Sequence, residues 1–282
     1  MGAYDVGNVN MHGLCLLVVV YYFLGGIAVG LGLHRMLAHR AFVLPKWLEY
    51  CIITLSLPAG TPIQWVGTHR CHHLHTERAV DPHSPHISGF WHAHVGWYLG
   101  TANRLVCALY ALAGPGRMLF DSVWRPRTNQ EHNHLAKDIS DDLYYRWVSR
   151  PAPYALLMWL HLACAFGMAR HYGGWQGVSV LWCELILMYN LGDAVDSIGH
   201  LHGHKPYRQA NESRNNPVLA WCTLGEGWHA NHHAFPRSAR HGLLGGQCDW
   251  TWQVIQALQQ LRLARNVWLP RDEDVRAGRV AP

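Results

Sequence analysis

The stretch GLCLLVVVYYFLGGIAVGLGL, residues 13–33, is the part of the sequence that most directly indicates a membrane protein. It contains no Lys, Arg, Asp or Glu, and the uncharged run reaches back to Val6. About 20 apolar residues in a helix are enough to cross the hydrocarbon core of a bilayer. We therefore predict a membrane-spanning helix over about residues 10–33. The run is too long for the core of a cleavable signal peptide, and no basic residue leads into it.

Two further stretches, residues 151–169 and 172–192, have the same apolar character, apart from Glu184 in the second. The short link MARHYGGW, residues 168–175, joins them. Over all 282 residues only 15% are charged, whereas a typical soluble domain has about 25%. The sequence thus predicts a helical hairpin that crosses a membrane twice, within a single all-α integral membrane domain over residues 1–282.

Histidine clusters follow these apolar stretches. In GEGWHANHHAFP, residues 225–236, three histidines stand at i, i+3 and i+4, and THRCHHLH, residues 68–75, repeats that spacing. Such a triplet lies within about 100° of arc on one helix face, so we expect its side chains to converge on one point. GLHRMLAHR, residues 32–40, adds two more. The eight histidines are His34, His39, His69, His72, His73, His229, His232 and His233.

Converging imidazoles suit a metal ion when they are neutral. Eight of them exceed the ligand set of one zinc ion, which takes about four ligands, so two metal ions are the expected count. Imidazole binds zinc, copper, iron and nickel alike, so the ligand type does not choose the metal. A two-metal site at the mouth of a small membrane protein would be well placed to oxidise a lipid-like substrate with O2.

The segment between His39 and His69 must be compatible with a single site shared by all the histidine clusters. Residues 50–68 are uncharged, but two prolines and a glycine between residues 58 and 62 interrupt them, and helix interiors tolerate proline poorly. If the clusters form one site, this segment must return to the side it left. We therefore predict an interfacial helix over about 47–68, and about three transmembrane helices in all.

Basic residues predict which side of the membrane the histidine clusters face. The first is Arg35, after the first span, and Arg40, Lys46, Arg70 and Arg78 follow on the motif side, so the clusters are expected to face the cytoplasm. Residues 99–150 are interpreted as an amphipathic surface helix and a loop. From about residue 204 we expect a cytoplasmic, His-rich cap that ends in a helix near 250–265 and a disordered tail over about 266–282.

Composition excludes several classes of protein. The eight cysteines form no CxxC pair, which argues against a disulfide framework, a zinc ribbon or an iron–sulfur cluster. The net charge of +5 is modest and its arginines lie among the histidines, so no nucleic-acid partner is indicated. A metal transporter or sensor is an alternative function, but all clusters map to one side and no ladder of ionisable residues lines the predicted spans.

Several motifs, in this order and spacing, resemble the membrane fatty-acyl desaturases, specifically the bacterial and cyanobacterial delta-9 branch related to stearoyl-CoA desaturase. They are GLHRMLAHRAF, PKWLEY, PIQWVGTHRCHHLHTE, DPHSP, HVGW, DSIGHLHGHKPY and GEGWHANHHAFP. The resemblance runs from about residue 17 to 245. It implies a multi-pass bacterial inner-membrane enzyme with a di-iron centre that carries the catalysis, activates O2 and introduces a cis double bond into an acyl chain.

The resemblance also implies the ligands and partners. The family's nine histidine ligands fall on the eight named above and on His200. Electrons would come from a separate donor of the ferredoxin, rubredoxin or cytochrome b5 type with its reductase, because no such signature is fused to the chain. The acyl group could be carried by CoA, a carrier protein or a glycerolipid. A related outcome, namely terminal desaturation, acetylenation, hydroxylation or oxidative decarboxylation, stays open.

Further positions follow from the same resemblance. Relatives carry N-S-x-x-H before the ligand at position 200, whereas this chain has Asp196, so we expect Asp196 to bind iron directly or through a water. Gln64, Trp65 and Arg70 are expected near the head end of the substrate. Relatives also carry an additional span before the first one here. Candidate acceptors for the ligands' other N–H groups are Asp81, Asp193 and Glu226.

Overall fold

The computed structural model describes residues 9–279, and within that range its secondary structure is helical apart from isolated bridges between single residues. In chain order the helices are α1 (Met11–Ile27), which continues as a π-helix (Ala28–Ala38), α2 (Lys46–Ser56), α3 (Pro62–His75), α4 (Pro85–Ser88), α5 (Trp97–Leu99), α6 (Arg104–Ala111), α7 (Pro115–Trp124), α8 (Lys137–Ser140), α9 (Leu143–Val148), α10 (Pro151–Leu201), α11 (Pro217–Cys222), α12 (His229–Ala234), α13 (Trp250–Gln260) and α14 (Asp272–Ala277). A second π-turn covers His92–Gly96, and 3₁₀ turns cover Leu57–Ala59, Arg125–Arg127 and Gln130–Ala136.

Local sequence signals explain where several helices begin. The Asn10 side chain accepts a hydrogen bond from Gly13 N at 2.9 Å, and Asp249 accepts one from Trp252 N at 2.9 Å, so each caps orphan donors of a first turn. Proline is the first residue of α3, α7, α10 and α11, a position where its missing N–H costs nothing.

The long helix α10 turns back on itself at Gly174, whose φ of 59° few side chains would permit. A Cβ atom on Gly177 would lie 2.1 Å from Ala169 O, although eight residues of straight helix span about 12 Å. Ala165 and Leu181 share one apolar cluster that packs against α1. Residues 151–201 therefore form the two antiparallel arms that the hairpin prediction requires.

Two helices, Met11–Ala38 and Pro151–Leu201, are long and apolar enough to cross a membrane. Their outward faces carry large apolar side chains that are each more than half exposed, among them Leu16, Val19, Leu156, Trp159 and Leu187. An apolar surface of this kind is typical of proteins that contact lipid or a partner. The fold is thus all-helical and consistent with membrane integration.

The prediction of one interfacial helix over about 47–68 is wrong in its extent. The structure has two helices, α2 and α3, separated by a 3₁₀ turn and by Gly60, whose φ is 141°. Proline at positions 58 and 62 and glycine between them prevent a continuous helix. The break gives α3 a direction of its own, and α3 carries the second histidine cluster.

The predicted disordered tail over about 266–282 is also wrong for the described part, which reaches residue 279. Trp268 N donates to Ala41 O at 2.8 Å, and Trp268 O accepts from Ala239 N at 3.0 Å. Helix α14 follows. These bonds tie the tail to the segments around the first and third histidine clusters, while residues 280–282 lie outside the described range.

The largest apolar core lies beneath the histidines. It joins the π-helix, α2, α3 and α13 through fully or nearly fully buried side chains, including Leu33, Phe42, Ile53, Val66 and Ile255. Each buried aliphatic or aromatic side chain of this size contributes about 1.5–3 kcal/mol of transfer free energy. The helices that carry the first two clusters are therefore held in one rigid unit.

Candidate metal centre and acyl cavity

The first histidine pair depends on the π-helix. In an α-helix, side chains five residues apart differ by about 140° around the axis, so His34 and His39 would diverge. Here His39 N donates to His34 O at 3.1 Å, the i to i+5 bond of a π-helix, which stacks the two residues on one face. Their ring centroids are 5.1 Å apart. The irregular backbone thus brings both imidazoles to the site.

The two triplets do lie on helices, but the prediction that each converges on one point is wrong. Each triplet divides between two groups of imidazoles, whose ligand nitrogens lie within 4.8 Å of one another. Two residues of one triplet and one of the other serve each group. The five-histidine cluster consists of His34, His39, His69, His73 and His232, and the four-histidine cluster of His72, His200, His229 and His233.

Nitrogen atoms in the clusters approach one another closely. In the four-histidine cluster, His229 Nε2 lies 2.9 Å from His200 Nε2 and 3.1 Å from His233 Nε2. In the five-histidine cluster, His232 Nε2 lies 2.8 Å from His73 Nε2. Nitrogen ligands about 2.1 Å from one metal ion stand at most about 4.2 Å apart. Both clusters therefore have the ligand type and the spacing of a metal site.

The protonation state fits the same conclusion. Burial lowers the pKa of His69, His73, His229, His232 and His233 well below the ordinary value, and neighbouring imidazoles lower it further. A buried positive charge is costly, and several adjacent ones repel. The imidazoles are therefore neutral at physiological pH, and each keeps a lone pair that a metal ion can use.

Predicted carboxylates hold the outer nitrogens of two of the nine cluster histidines, His72 and His34. Asp81 Oδ1 accepts from His72 Nδ1 at 2.9 Å, and Glu226 contacts His34 Nδ1. Burial favours the protonated form of Glu226, but the charge of Arg35 and the contact with His34 outweigh it, so the Glu226 pKa is lowered. Such partners fix the tautomer and direct the other ring nitrogen at the metal.

Sequence reasoning missed Glu77 and misplaced Asp193. Glu77 Oε1 lies 3.1 Å from His200 Nδ1, a pair separated by 123 residues that only the fold brings together. Asp193 does not contact a histidine ring among the described residues; it forms a bidentate pair with Arg117 at 2.5 and 3.0 Å. The only available signal for Glu77 was its place directly after the second cluster.

Two further buried histidines border the clusters. The ring of His83 stacks on His72 at 4.3 Å, and burial lowers the His83 pKa to about 4. His241 is fully buried, and its ring lies 4.5 Å from that of His232. Neither was singled out from the sequence, because an isolated histidine carries no spacing signal.

A cavity of about 410 Å³ opens beside the clusters. His34, His69 and His229 line one part of it, and most of its wall is apolar. Side chains from α1 and from both arms of α10 line the remote part, among them Tyr21, Leu24, Cys164, Leu185 and Met188. An apolar cavity lined in part by these histidines suits an apolar, chain-like substrate.

The predicted substrate residues have different places. Trp65 lines the cavity, and its ring stacks on His69 at 4.9 Å with an interplanar angle of 18°. Gln64 is buried beside Gly60, and its Nε2 lies 3.5 Å from Thr128 Oγ1. Gln64 therefore packs at the start of α3, near Gly60 and Thr128. Trp65, rather than Gln64, lines the cavity and contacts a cluster histidine.

The expectation that Arg70 meets a substrate head group has no support in the structure. All five of its N–H groups donate to protein oxygens. Nε bonds Ala38 O, Nη1 bonds Leu135 O and Asp138 Oδ1, and Nη2 bonds Leu37 O and Asp138 Oδ2. Arg70 thus joins the end of the π-helix, which carries His34, to α3, which carries His69. It therefore positions the histidines of these two helices against each other.

Asp196 lies on α10, one turn before His200, and lines the cavity. Its carboxyl group interacts electrostatically with His72 and His200, both members of the four-histidine cluster. It does not belong to either group of ligand atoms within 4.8 Å of one another in the described range. Asp196 therefore lies next to the four-histidine cluster, but its carboxylate is not among the ligand atoms that define that cluster.

Comparison with known proteins identifies the family to which this chain belongs. The fatty acid desaturase model matches residues 12–244. The chain is 33% identical to the sn-1 stearoyl-lipid 9-desaturase of Anabaena variabilis over 273 residues, which cover 95% of this chain and 88% of that protein. It is 36% identical to the acyl-CoA C20 Delta5-desaturase of Anemone leveillei over 281 residues, or 93% and 80% of the two chains. It is 34% identical to the sn-2 palmitoyl-lipid 9-desaturase of Nostoc sp. (strain 36), with 92% and 82% covered. With similarity of this extent, the chain belongs to the fatty acid desaturase family and is a fatty-acyl desaturase.

Proposed function

We propose that the two clusters hold two iron ions and that this centre uses O2 to introduce a cis double bond into an acyl chain in the cavity. The observation that carries the proposal is the coincidence of a five-histidine and a four-histidine cluster with the wall of one apolar cavity. Iron is favoured over zinc because the reaction needs a redox metal, and zinc has no redox chemistry.

The reaction has a fixed balance. Two adjacent methylene groups lose two hydrogens, and O2 takes up these together with two electrons and two protons to give two waters. The two histidine clusters would hold the iron ions, which would supply the redox chemistry that activates O2 for removal of these hydrogens. The electrons must come from outside the chain, from a ferredoxin, rubredoxin or cytochrome b5 type of donor with its reductase.

The protein's own part is to position and to exclude water. Glu77, Asp81 and Glu226 orient three of the imidazoles, and Trp65 packs between the cavity and His69. The apolar cavity wall keeps bulk water from the acyl chain, which favours abstraction of hydrogen from carbon over side reactions. Positioning of the chain at the clusters then decides which two methylenes react.

Expression of the chain in a desaturase-deficient bacterial host is expected to yield a new monounsaturated fatty acid in the membrane lipids. The check is fatty-acid profiling by mass spectrometry, with double-bond position determined on derivatised esters. The matched control is the same chain with His233→Ala. A hydroxylated, acetylenic or chain-shortened product from the intact chain, or no new product despite folded, iron-loaded protein, would contradict the proposal.

We also propose three membrane spans, formed by Met11–Ala38 and the two arms of α10, in a bacterial inner membrane with the clusters on the cytoplasmic side. Supporting this are the basic residues that follow the first span, since cytoplasmic segments carry an excess of Lys and Arg. A reporter active only in the cytoplasm is expected to give signal when fused after residue 279 and none when inserted in the link at residues 168–175. The reverse pattern would contradict this orientation.

A further inference from the structure

Arg125 is an unusual side chain in the cavity wall. It lies in the turn that follows α7, is 2% exposed, and lines the cavity. Its Nη2 donates to Ala59 O, and its guanidinium lies 3.8 Å from the centroid of Tyr98 and 5.7 Å from that of Trp97. Among residues 9–279, however, its Nε and Nη1 have no hydrogen-bond partner.

Two buried, unpartnered donors on a charged group are costly. Buried polar atoms nearly always have a partner, and a charged donor left without one forfeits more than a neutral donor does. Aromatic faces compensate part of the charge but accept no strong hydrogen bond along the N–H direction. Arg125 lines the cavity, so an oxygen of a bound substrate can supply a partner for one of these donors.

The surrounding charges indicate what kind of oxygen this is. Arg117 is paired with Asp193, and Asp121 accepts a hydrogen bond from Tyr110 at 2.5 Å within the same buried group. With Arg125 the group contains two guanidinium and two carboxyl groups, so its formal charges are balanced. A second anion would leave an uncompensated buried charge, whereas a carbonyl oxygen would not. The Nε–H and Nη1–H groups point to different sides of the guanidinium, so one carbonyl oxygen can accept from only one of them, and Nη1 is the donor at the free end of the side chain.

The position of Arg125 relative to the clusters gives this contact a consequence. A Cβ on Gly60 would lie 2.7 Å from Arg125 Nη2 and 3.1 Å from Gln64 Oε1, so the guanidinium sits against the start of α3. From Gln64 to His69 the helix rises about 7.5 Å. An oxygen held at Arg125 would therefore lie near the start of α3, the helix that carries His69 of the five-histidine cluster.

We propose that Arg125, through Nη1, binds the carbonyl oxygen of the ester or thioester that joins the acyl chain to its carrier. This rests on the proposed desaturase function and adds how the substrate is aligned. Because the carbonyl is fixed, the methylenes that meet the metal clusters are counted from the carboxyl end. Arg125 is then a substrate-binding residue that determines the position of the double bond.

The test compares binding of three probes of equal chain length in lipid nanodiscs: methyl palmitate, palmitic acid and hexadecane. The wild-type protein is expected to bind the ester about tenfold or more tightly than the alkane, as for a hydrogen bond to a charged group. Arg125→Gln is expected to lose this preference. Arg127→Gln, two residues away and exposed, is the matched control and is expected to keep it.

The outcomes separate cleanly. An Arg125→Gln protein that keeps the wild-type ester preference and melting temperature would overturn the assignment, and so would a wild-type protein that prefers the free acid to the ester. If Arg125→Gln does not fold, Arg125→Lys keeps the positive charge but loses the planar guanidinium and its Nη1 donor, and an undiminished ester preference in that variant would overturn the assignment too.

Product analysis separates this inference from the proposed function. In the desaturase-deficient host, Arg125→Lys is expected to yield a mixture of positional isomers where the wild type yields one. A wild type that forms a double bond, together with a variant that forms the same single isomer, would overturn the role of Arg125 and leave the desaturase function intact. A wild type that forms no double bond despite intact ester binding would contradict the function and leave the binding site intact.

Discussion

Replacing a single cluster histidine with alanine is expected to abolish double-bond formation, with a loss of more than about a hundredfold. Loss of an outer hydrogen-bond partner of a metal ligand alone costs about 10–100-fold in metal affinity or activity, so loss of the ligand itself costs more. His233→Ala and His73→Ala are the informative pair, because they remove one nitrogen from the four-histidine and the five-histidine cluster respectively.

The two variants are expected to differ in iron content although both lose activity. His233→Ala leaves three histidines in its cluster, so the protein should purify with about one iron per chain. His73→Ala leaves four, so it should retain more of its second iron. His171→Ala, at an exposed position in the link between the arms of α10, is the control and should match the wild type. Full iron and full turnover in His233→Ala would contradict the assignment of this cluster.

Asp196→Asn is expected to lower turnover by between about tenfold and a hundredfold and to change the spectrum of the bound iron. The substitution keeps the shape of the side chain but replaces an ionisable carboxyl group beside His72 and His200 with a neutral amide. We infer that Asp196 completes the coordination of the four-histidine cluster, directly or through a water, and such outer contacts have effects of this size.

The check is absorption or Mössbauer spectroscopy of the iron-loaded variant together with its turnover. Asp272→Asn, at an exposed position in α14, is a suitable control for the chemistry of the substitution. An Asp196→Asn protein with unchanged iron content, spectrum and turnover would show that the carboxylate is a tolerated replacement for the asparagine of relatives.

Much of the fold follows from the sequence because its strongest signals are local. The apolar run at residues 13–33 predicts a long helix, and two apolar stretches with a glycine-containing link predict the two arms of α10. The break between α2 and α3 was visible as two prolines and a glycine. The prediction nevertheless placed one helix across this break. It rested on the requirement that all histidine clusters lie on the same side of the membrane, and that requirement demands only that the chain return to that side.

The arrangement of the histidines could be predicted only in part. The i, i+3, i+4 spacing places three rings on one face, but 100° of arc is wide enough to serve two metal positions a few ångströms apart. The pair at positions 34 and 39 needs a π-helix, and the spacing of apolar residues in this segment does not distinguish that from an α-helix. His200 was assigned by resemblance alone.

Contacts between distant segments were the least predictable. Glu77 meets His200 and Asp193 meets Arg117 across 123 and 76 residues respectively, and nothing local in the sequence encodes either pair. Arg70 lies within the second cluster and was expected to contact substrate, whereas its donors are all used by the protein. Arg125 lies in a segment that was interpreted as a loop, and it lines the cavity with two donors, Nε and Nη1, that have no partner among residues 9–279.

The central claim is that nine histidines in two clusters hold two iron ions at the wall of an acyl cavity. The most direct measurement is the metal content of purified protein, counted as iron and zinc per chain by mass spectrometry after reconstitution with ferrous iron and removal of loosely bound metal. The account predicts two irons per chain and negligible zinc. One iron or fewer in folded protein, or zinc retained in preference to iron, would contradict it.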